Sequence, residues 1–307
     1  MPGEGPVLAI VGPTASGKTE LALTVAPRLG AEIVSVDSML VYRGMDVGTA
    51  KPSIAERERV PHHLIDVVEP SEPFSVATYQ RLACEAVSDV RARGRRPLLV
   101  GGTALYLRAV ADDLAFPGTD ASVRSALQDE ASRVGAGAMH ERLAATDPVA
   151  ASKIDPRNVR RVVRAVEVTE ITGRPFSSFA SAWERYEPDR LRAAGLDVPR
   201  EVLARRIEAR VGAMLEAGFV DEVRGLVSRG FGAFLTASQA IGYAELARHL
   251  AGELTLEEAV AGTVKRTKAL ARRQVAFLRR DPRIRWFEVG EADALALADD
   301  VVEHLDG

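Results

Sequence analysis

The sequence predicts an α/β protein in which a parallel sheet core carries a helical insertion and a helical C-terminal region. Three observations lead there. Over the first hundred residues, short apolar runs alternate with helical patterns, as in successive βαβ units. After Tyr106-Leu107 the strand signal stops while helical segments and turns continue. One last strand pattern appears near Ala193, and helices take up most of the remaining chain.

The predicted strands are 7–11, 32–36, 63–67, 98–100 and 193–198. Between them, 18–29 and 76–93 read as helices, the second with Leu82, Ala86 and Val90 on one face. Turn signals at Pro117-Gly118, Asp147-Pro148 and Gly173-Arg174-Pro175 punctuate the insertion. Beyond Pro199, Ile207, Val211, Met214 and Leu215 recur at helical spacing, as do Leu270, Gln274, Phe277 and Leu278. The expected division is 1–111 for the first part of the core, 112–190 for the insertion, and 191–307 for completion of the core and the C-terminal helices.

A chain of 307 residues, 47% of them hydrophobic, can bury a sizeable core. Its longest apolar runs have strand length, far short of a membrane span. No secretory signal precedes the first strand, and the single cysteine, Cys84, excludes an internal disulfide. Both fit a cytoplasmic protein. A net charge of −3 argues against indiscriminate coating of nucleic acid but leaves room for a local basic surface.

The first chemical motif is Gly12-Pro13-Thr14-Ala15-Ser16-Gly17-Lys18-Thr19. It satisfies G-x-x-x-x-G-K-[ST] and lies between a buried-type strand and a helix, as a phosphate loop requires. Glycines let several amides converge on one anion, the helix start adds partial positive charge, Lys18 adds a full one, and Thr19 offers a hydroxyl to Mg²⁺. The core is therefore expected to be P-loop NTPase-like. The loop specifies a diphosphate and leaves open whether ATP, GTP or a prenyl pyrophosphate carries it.

Asp37 follows the second strand at the carboxyl edge of the sheet, where ligands of such folds bind. It can coordinate Mg²⁺ through water, accept a proton from a nucleophile, or cap the next turn. The stretch 37–52 is too long and irregular for a simple connection. Together with the phosphate loop, this stretch resembles the tRNA dimethylallyltransferase family, the tRNA isopentenyltransferases or IPP transferases. The resemblance continues through Pro61-His62-His63-Leu64-Ile65-Asp66, Phe74-Ser75-Val76-Ala77-Thr78-Tyr79 and Val100-Gly101-Gly102-Thr103-Ala104-Leu105-Tyr106. It covers nearly the whole chain. Paired histidines without other ligands at metal spacing are weak evidence for a metal. Thr103 reads as a helix N-cap, and the resemblance adds contact with tRNA, as it does for Asp37, Ser38, Met39 and Leu40.

In the insertion, Arg157, Arg160, Arg161 and Arg164 are expected on one helical face, with Val159, Val162, Val163 and Val166 on a buried one. The stripe alone reads as a solvated surface. The resemblance makes Arg160, Arg161, Val162, Val163 and Arg164 part of a tRNA-contacting stretch. Nine basic residues from Lys265 to Arg285 are opposed locally only by Asp281, so they need an anionic partner or carboxylates folded over them. Within this run, Arg272, Arg273, Gln274, Phe277 and Arg279 match a second tRNA-contacting motif. Ser238, Gln239, Ala240, Ile241, Gly242 and Tyr243 resemble a third, with a less typical Ser238-Gln239 opening.

The implied reaction transfers a dimethylallyl group from dimethylallyl pyrophosphate to N6 of the adenosine 3′ of the anticodon, releasing pyrophosphate. Lys18, Thr19 with Mg²⁺, the loop amides and Arg210, with Arg206 as the alternative, would stabilise the leaving group. Asp37 would take the amine's proton, and the base must be flipped out of its stack. A monomer binding a tRNA anticodon stem-loop, without a membrane, is expected. The competing readings are a nucleotide kinase, for which the basic segments have no use, and a nucleotide-dependent RNA-binding switch.

Overall fold

The computed structural model describes residues 5–179, 185–234, 236–290 and 293–307. The chain divides into two compact units. One comprises Met1–Asp113 with Glu187–Gly307, the other Leu114–Tyr186. Residues 180–184, inside the insertion expected at 112–190, lie outside the described residues.

The larger unit is built on six strands: β1 (Val7–Val11), β2 (Ala31–Ser35), β3 (His62–His63), β4 (Arg96–Gly101), β5 (Leu191–Asp197) and β6 (Ile284–Glu288). They form one sheet in the order β3-β2-β4-β1-β5-β6, with every neighbouring pair parallel. Such a sheet must be covered on both faces. Alternation along the strands accomplishes this: Leu8, Ile10, Ile33 and Leu98 enter one apolar cluster, while Ala9, Val11, Val34 and Leu99 enter another.

Helices α1 (Lys18–Arg28), α2 (Ile54–Arg59), α3 (Val76–Ala92) and α4 (Ala104–Ala111) belong to the first half of this unit. In the smaller unit, α5 (Ala121–Thr146), α6 (Pro148–Lys153) and α7 (Val159–Thr172) enclose a core of Leu127, Met139, Leu143, Ile154, Val162, Val163 and Val166. Gly135 breaks α5 with φ 85°. The larger unit resumes with α8 (Arg200–Glu216), α9 (Phe219–Val227), α10 (Tyr243–Leu250), α11 (Leu256–Leu278) and α12 (Ala298–Asp306). Among the described residues, no helix is long and apolar enough to cross a membrane.

Three sequence expectations need correction. The third strand is not 63–67 but the two residues of β3, because Leu64 (φ 65°) and Asp66 (φ 57°) adopt left-handed backbone that a strand cannot accommodate. A sixth strand, β6, stands where only helices were expected. Ile284 and Phe287 are buried in it while Arg285 and Glu288 point outward. Arg157 does not share the arginine face of α7. Asn158 caps that helix, accepting from the Arg161 amide at 3.3 Å, and Arg157 lies before the cap, paired with Asp155 at 2.8 Å.

Candidate active site

β1 runs mid-sheet between β4 and β5, so the loop 12–19 opens at the centre of the carboxyl edge. The Gly12 amide donates to Gly101 O at 3.4 Å, and the Ser16 amide donates to Pro13 O at 3.3 Å. Gly17 has φ 87°, and a β-carbon there would lie 2.9 Å from Ala294 Cβ, so a side chain would be strained twice over. α1 begins immediately after it without a side-chain cap, leaving the first helical amides for an anion. Lys18 folds back over the loop, donating from Nζ to Pro13 O at 3.0 Å. Burial and the Arg210 guanidinium hold its pKa down at about 8, with Asp37 opposing them.

Asp37 stands two residues beyond β2. Its Oδ1 accepts from the Met39 amide at 2.8 Å, closing a turn, while its other oxygen has no hydrogen bond among the described residues. It therefore serves both as turn former and as an available carboxylate. Arg210 reaches in from α8 and donates to Thr49 O at 3.3 Å. Burial lowers its pKa and Asp37 raises it.

Two cavities meet at these groups. A small one of about 60 Å³ is lined by Thr14, Lys18, Thr19, Ser35, Asp37, Thr49 and Arg210. A larger one of about 320 Å³ shares Thr14, Asp37, Thr49 and Arg210, and adds Ser38, Met39, Thr103, Gln239, Ile241, Arg273 and Gln274 with an apolar wall of Ile207, Val211, Met214 and Phe219. Of the two candidate arginines, Arg210 lines both cavities and Arg206 lines neither. Leu40 borders only the smaller one.

Among the described residues, no cluster of three or more His, Cys, Asp or Glu could hold a metal. The ring nitrogens of the histidine pair are engaged instead, His62 Nδ1 with Val60 O at 2.6 Å and His63 Nε2 with Glu32 at 2.7 Å. Mg²⁺ on a diphosphate needs only one or two protein ligands, with water and phosphate completing the octahedron. Thr19 and Asp37 on the small cavity fit that need, and the buried Ser35 hydroxyl beside them has no partner among the described residues.

The structure redistributes several residues expected at RNA. Gln274 is turned onto the phosphate loop, its Oε1 accepting from the Thr14 amide at 2.9 Å. Thr103 begins α4 without spending its hydroxyl on the cap and lines the larger cavity. Tyr243 is buried and donates to Glu222 at 2.6 Å, and the Ser238 hydroxyl donates to Phe234 O. Gly242 adopts φ 90° and donates its amide to Glu245 at 2.8 Å. Ala240, 4% exposed, and Tyr243 nevertheless line the larger cavity. Val162 and Val163 are core residues of the smaller unit, 0% and 2% exposed, so their side chains cannot meet a ligand there. Arg164 next to them donates to Pro117 O, Gly118 O and Glu167. Arg160 and Arg161 remain on the surface of α7.

The C-terminal basic run is divided in the same way. Carboxylates cover Arg266 (Glu245), Lys268 (Glu208), Arg279 (Asp197) and Arg283 (Asp112 and Asp281). Arg279 also lies over the Trp286 ring. Arg272 and Arg273 are exposed and make no ion pair among the described residues. Phe277, 43% exposed, stands close by on α11 under the Arg280 guanidinium.

Two contributors escaped the sequence reading: Thr49, through its backbone carbonyl, and Glu222, which binds the loop before it. Neither carries a local signal, because a carbonyl is anonymous in sequence and Glu222 looks like an ordinary acidic residue in the first turn of α9.

Residues 40–281 match the family described as IPP transferase. The chain belongs to that family. Among IPP transferases similar to it is a tRNA dimethylallyltransferase of a Nocardioides species, 48% identical over 307 residues that cover 100% of this chain and 99% of the relative. The tRNA dimethylallyltransferase of Streptomyces coelicolor is 51% identical, covering 95% of this chain and 93% of its own. A crystal structure of the full-length tRNA isopentenylpyrophosphate transferase of Bacillus halodurans superposes with TM-score 0.73 at 40% identity, covering 99% and 96% of the two chains. A eukaryotic dimethylallyltransferase described as acting on tRNA superposes with TM-score 0.78 at 25% identity, covering 98% of this chain and 80% of that one.

Proposed function

We propose that this IPP transferase is a tRNA dimethylallyltransferase. It transfers the dimethylallyl group of dimethylallyl pyrophosphate to N6 of the adenosine 3′ of the anticodon in tRNA, giving N6-(dimethylallyl)adenosine and pyrophosphate. The observation that carries the reading is the meeting of Lys18, Asp37 and Arg210 where two cavities join. One cavity is phosphate-sized and cationic, and the other is larger and partly apolar.

Negative charge grows on the pyrophosphate as the allylic C–O bond breaks. Lys18, the amides at the start of α1 and Arg210 stabilise it, and such stabilisation is the largest catalytic contribution to expect in a transfer of this kind. Thr19 would hold Mg²⁺, with Asp37 reaching it only through water, and the ion would supply further positive charge to the leaving pyrophosphate. The adenine N6 is a weak nucleophile because its lone pair is delocalised into the ring, so Asp37 accepts its proton as the N–C bond forms. An adenine stacked in an anticodon loop cannot reach this depth, and the larger cavity is the place for a flipped base. Thr103, Ser38 and Gln239 on its wall supply polar groups to read the base edge. Arg272 and Arg273 on α11, with Arg160 and Arg161 on α7, are assigned to the RNA backbone. We assign this activity to a cytoplasmic monomer.

The test is direct. Incubation with an anticodon stem-loop, Mg²⁺ and dimethylallyl pyrophosphate adds the mass of one five-carbon prenyl unit to one adenosine. Transfer of phosphate from ATP instead, or RNA bound without modification, refutes the proposal in favour of a kinase or a binding switch.

A further inference from the structure

The loop between β2 and α2 is held at one point by a single side chain. The carboxylate of Glu222 on α9 accepts three successive backbone amides, Asp46 at 2.8 Å, Val47 at 2.8 Å and Gly48 at 3.1 Å. It also accepts the Tyr243 hydroxyl at 2.6 Å. Oε2 takes Asp46 and Val47, and Oε1 takes Gly48 and the phenol. Consecutive amides converge on one anion only where the backbone curls into a concave nest. Here the anion is the protein's own.

Packing at the same place leaves the loop little freedom. A β-carbon at Gly48 would lie 2.1 Å from the Phe219 ring and 2.6 Å from the Tyr243 ring, so the backbone rests directly on both. The next residue is Thr49. Its hydroxyl donates to Met45 O at 2.6 Å, and its carbonyl receives Arg210 at 3.3 Å. Thr49 and Arg210 line both cavities.

We infer that Glu222 is a positioning residue: it fixes the nest so that the Thr49 carbonyl aims Arg210 at the pyrophosphate of the donor. The inference rests on the prenyl-transfer reading for the identity of that donor, but its test does not need transfer to occur. Glu222 never touches substrate. It acts through three amides, one carbonyl and one guanidinium.

The test uses the full chain and inorganic pyrophosphate with Mg²⁺ as probe, followed by calorimetry. In Glu222→Gln the carboxamide keeps its size but places an NH₂ where one set of donors needs an acceptor. Pyrophosphate affinity should fall roughly tenfold, the loss of about one charge-assisted hydrogen bond's worth of alignment, while affinity for the anticodon stem-loop changes less than about twofold. Glu222→Asp, which keeps both acceptors, should recover part of the loss and covers the case in which the glutamine variant does not fold. In an Arg210→Ala background, Glu222→Gln should have no further effect on pyrophosphate, since the residue through which it acts is gone. Equal weakening of pyrophosphate and RNA, unchanged pyrophosphate affinity, or additive losses in the double variant would overturn the inference. If the wild type binds pyrophosphate but prenylates no RNA, the proposed reaction fails and these comparisons still decide the role of Glu222.

Discussion

Binding of pyrophosphate should lose strength as pH rises through about 8, because the ligand-free protein holds Lys18 there instead of at the ordinary 10.5. Burial is the main cause, Arg210 adds to it, and Asp37 works against both. Linkage sets the sign. A pyrophosphate anion favours the protonated amine, so binding is strongest below the free-state pKa, and above it binding must draw a proton from solvent. With a pKa near 8, roughly nine in ten Lys18 side chains are charged at pH 7 and roughly one in ten at pH 9, which is about a tenfold loss of affinity across that window. A lysine at 10.5 would lose almost nothing. The displacement amounts to about 3 kcal/mol held against the charged form, which a bound pyrophosphate offsets.

Titration calorimetry at matched ionic strength in buffers of differing ionisation enthalpy measures affinity and proton uptake together. Near pH 8.5 the complex should gain most of one proton. Lys18→Arg, which stays charged, provides the profile of the ligand's own ionisation. Arg210→Gln weakens binding at every pH but should move the midpoint upward, since it removes a repelling neighbour. Asp37→Asn should move it downward. Absence of proton uptake, a flat profile relative to Lys18→Arg, or midpoints displaced the opposite way would refute the electrostatic picture of the site.

Asp37→Asn should also lower kcat about 10²- to 10⁴-fold with little change in RNA affinity, as removal of a general base does, measured by single-turnover prenyl transfer. Replacing Arg272 and Arg273 by alanine should flatten the dependence of log affinity for RNA on log salt by roughly one contact each, in filter binding over a salt series. Arg283→Ala should leave that slope unchanged while destabilising the fold by about 3 kcal/mol in urea titration, because Asp281 would remain buried without its ion-pair partner and Asp112 would keep only Arg108. Gly48→Ala should cost about 1–3 kcal/mol by overpacking against Phe219, visible as a lower Tm.

How much was legible in the sequence depends on the range of the forces involved. β1 was read with its observed bounds because a continuous apolar run next to a glycine-rich turn is a local signal. β3 was overextended because the left-handed turns at Leu64 and Asp66 are stabilised from elsewhere. Lys51 at 2.5 Å and Arg57 at 2.7 Å hold the Asp66 carboxylate, and no residue in that segment announces them. β6 is not legible as a strand because its two buried residues, Ile284 and Phe287, lie three apart on opposite faces of the sheet and give no alternation, with Arg283 and Arg285 flanking Ile284. At the site, Lys18, Thr19 and Asp37 were readable as phosphate-loop and sheet-edge positions. The choice of Arg210 over Arg206 needed the orientation of α8, and Glu222 needed the path of a loop 174 residues away.

The fate of the basic residues shows why charge counted along a chain overstates a nucleic-acid surface. An arginine or lysine paired with a carboxylate contributes little field to a polyanion, and four of the nine from Lys265 to Arg285 have such partners. Of the other five, two stand side by side on one turn of α11, where Arg272 faces outward, Arg273 borders the larger cavity, and the next residue, Gln274, holds the Thr14 amide of the phosphate loop. Three successive residues therefore touch solvent, base cavity and phosphate loop in turn. A helix is stiff over that distance, so the three side chains keep a fixed spacing from one another. Recognition of the acceptor and of the donor then share one rigid element. A glutamine suits the third position because its carboxamide oxygen accepts the Thr14 amide, which an arginine, a donor only, could not do.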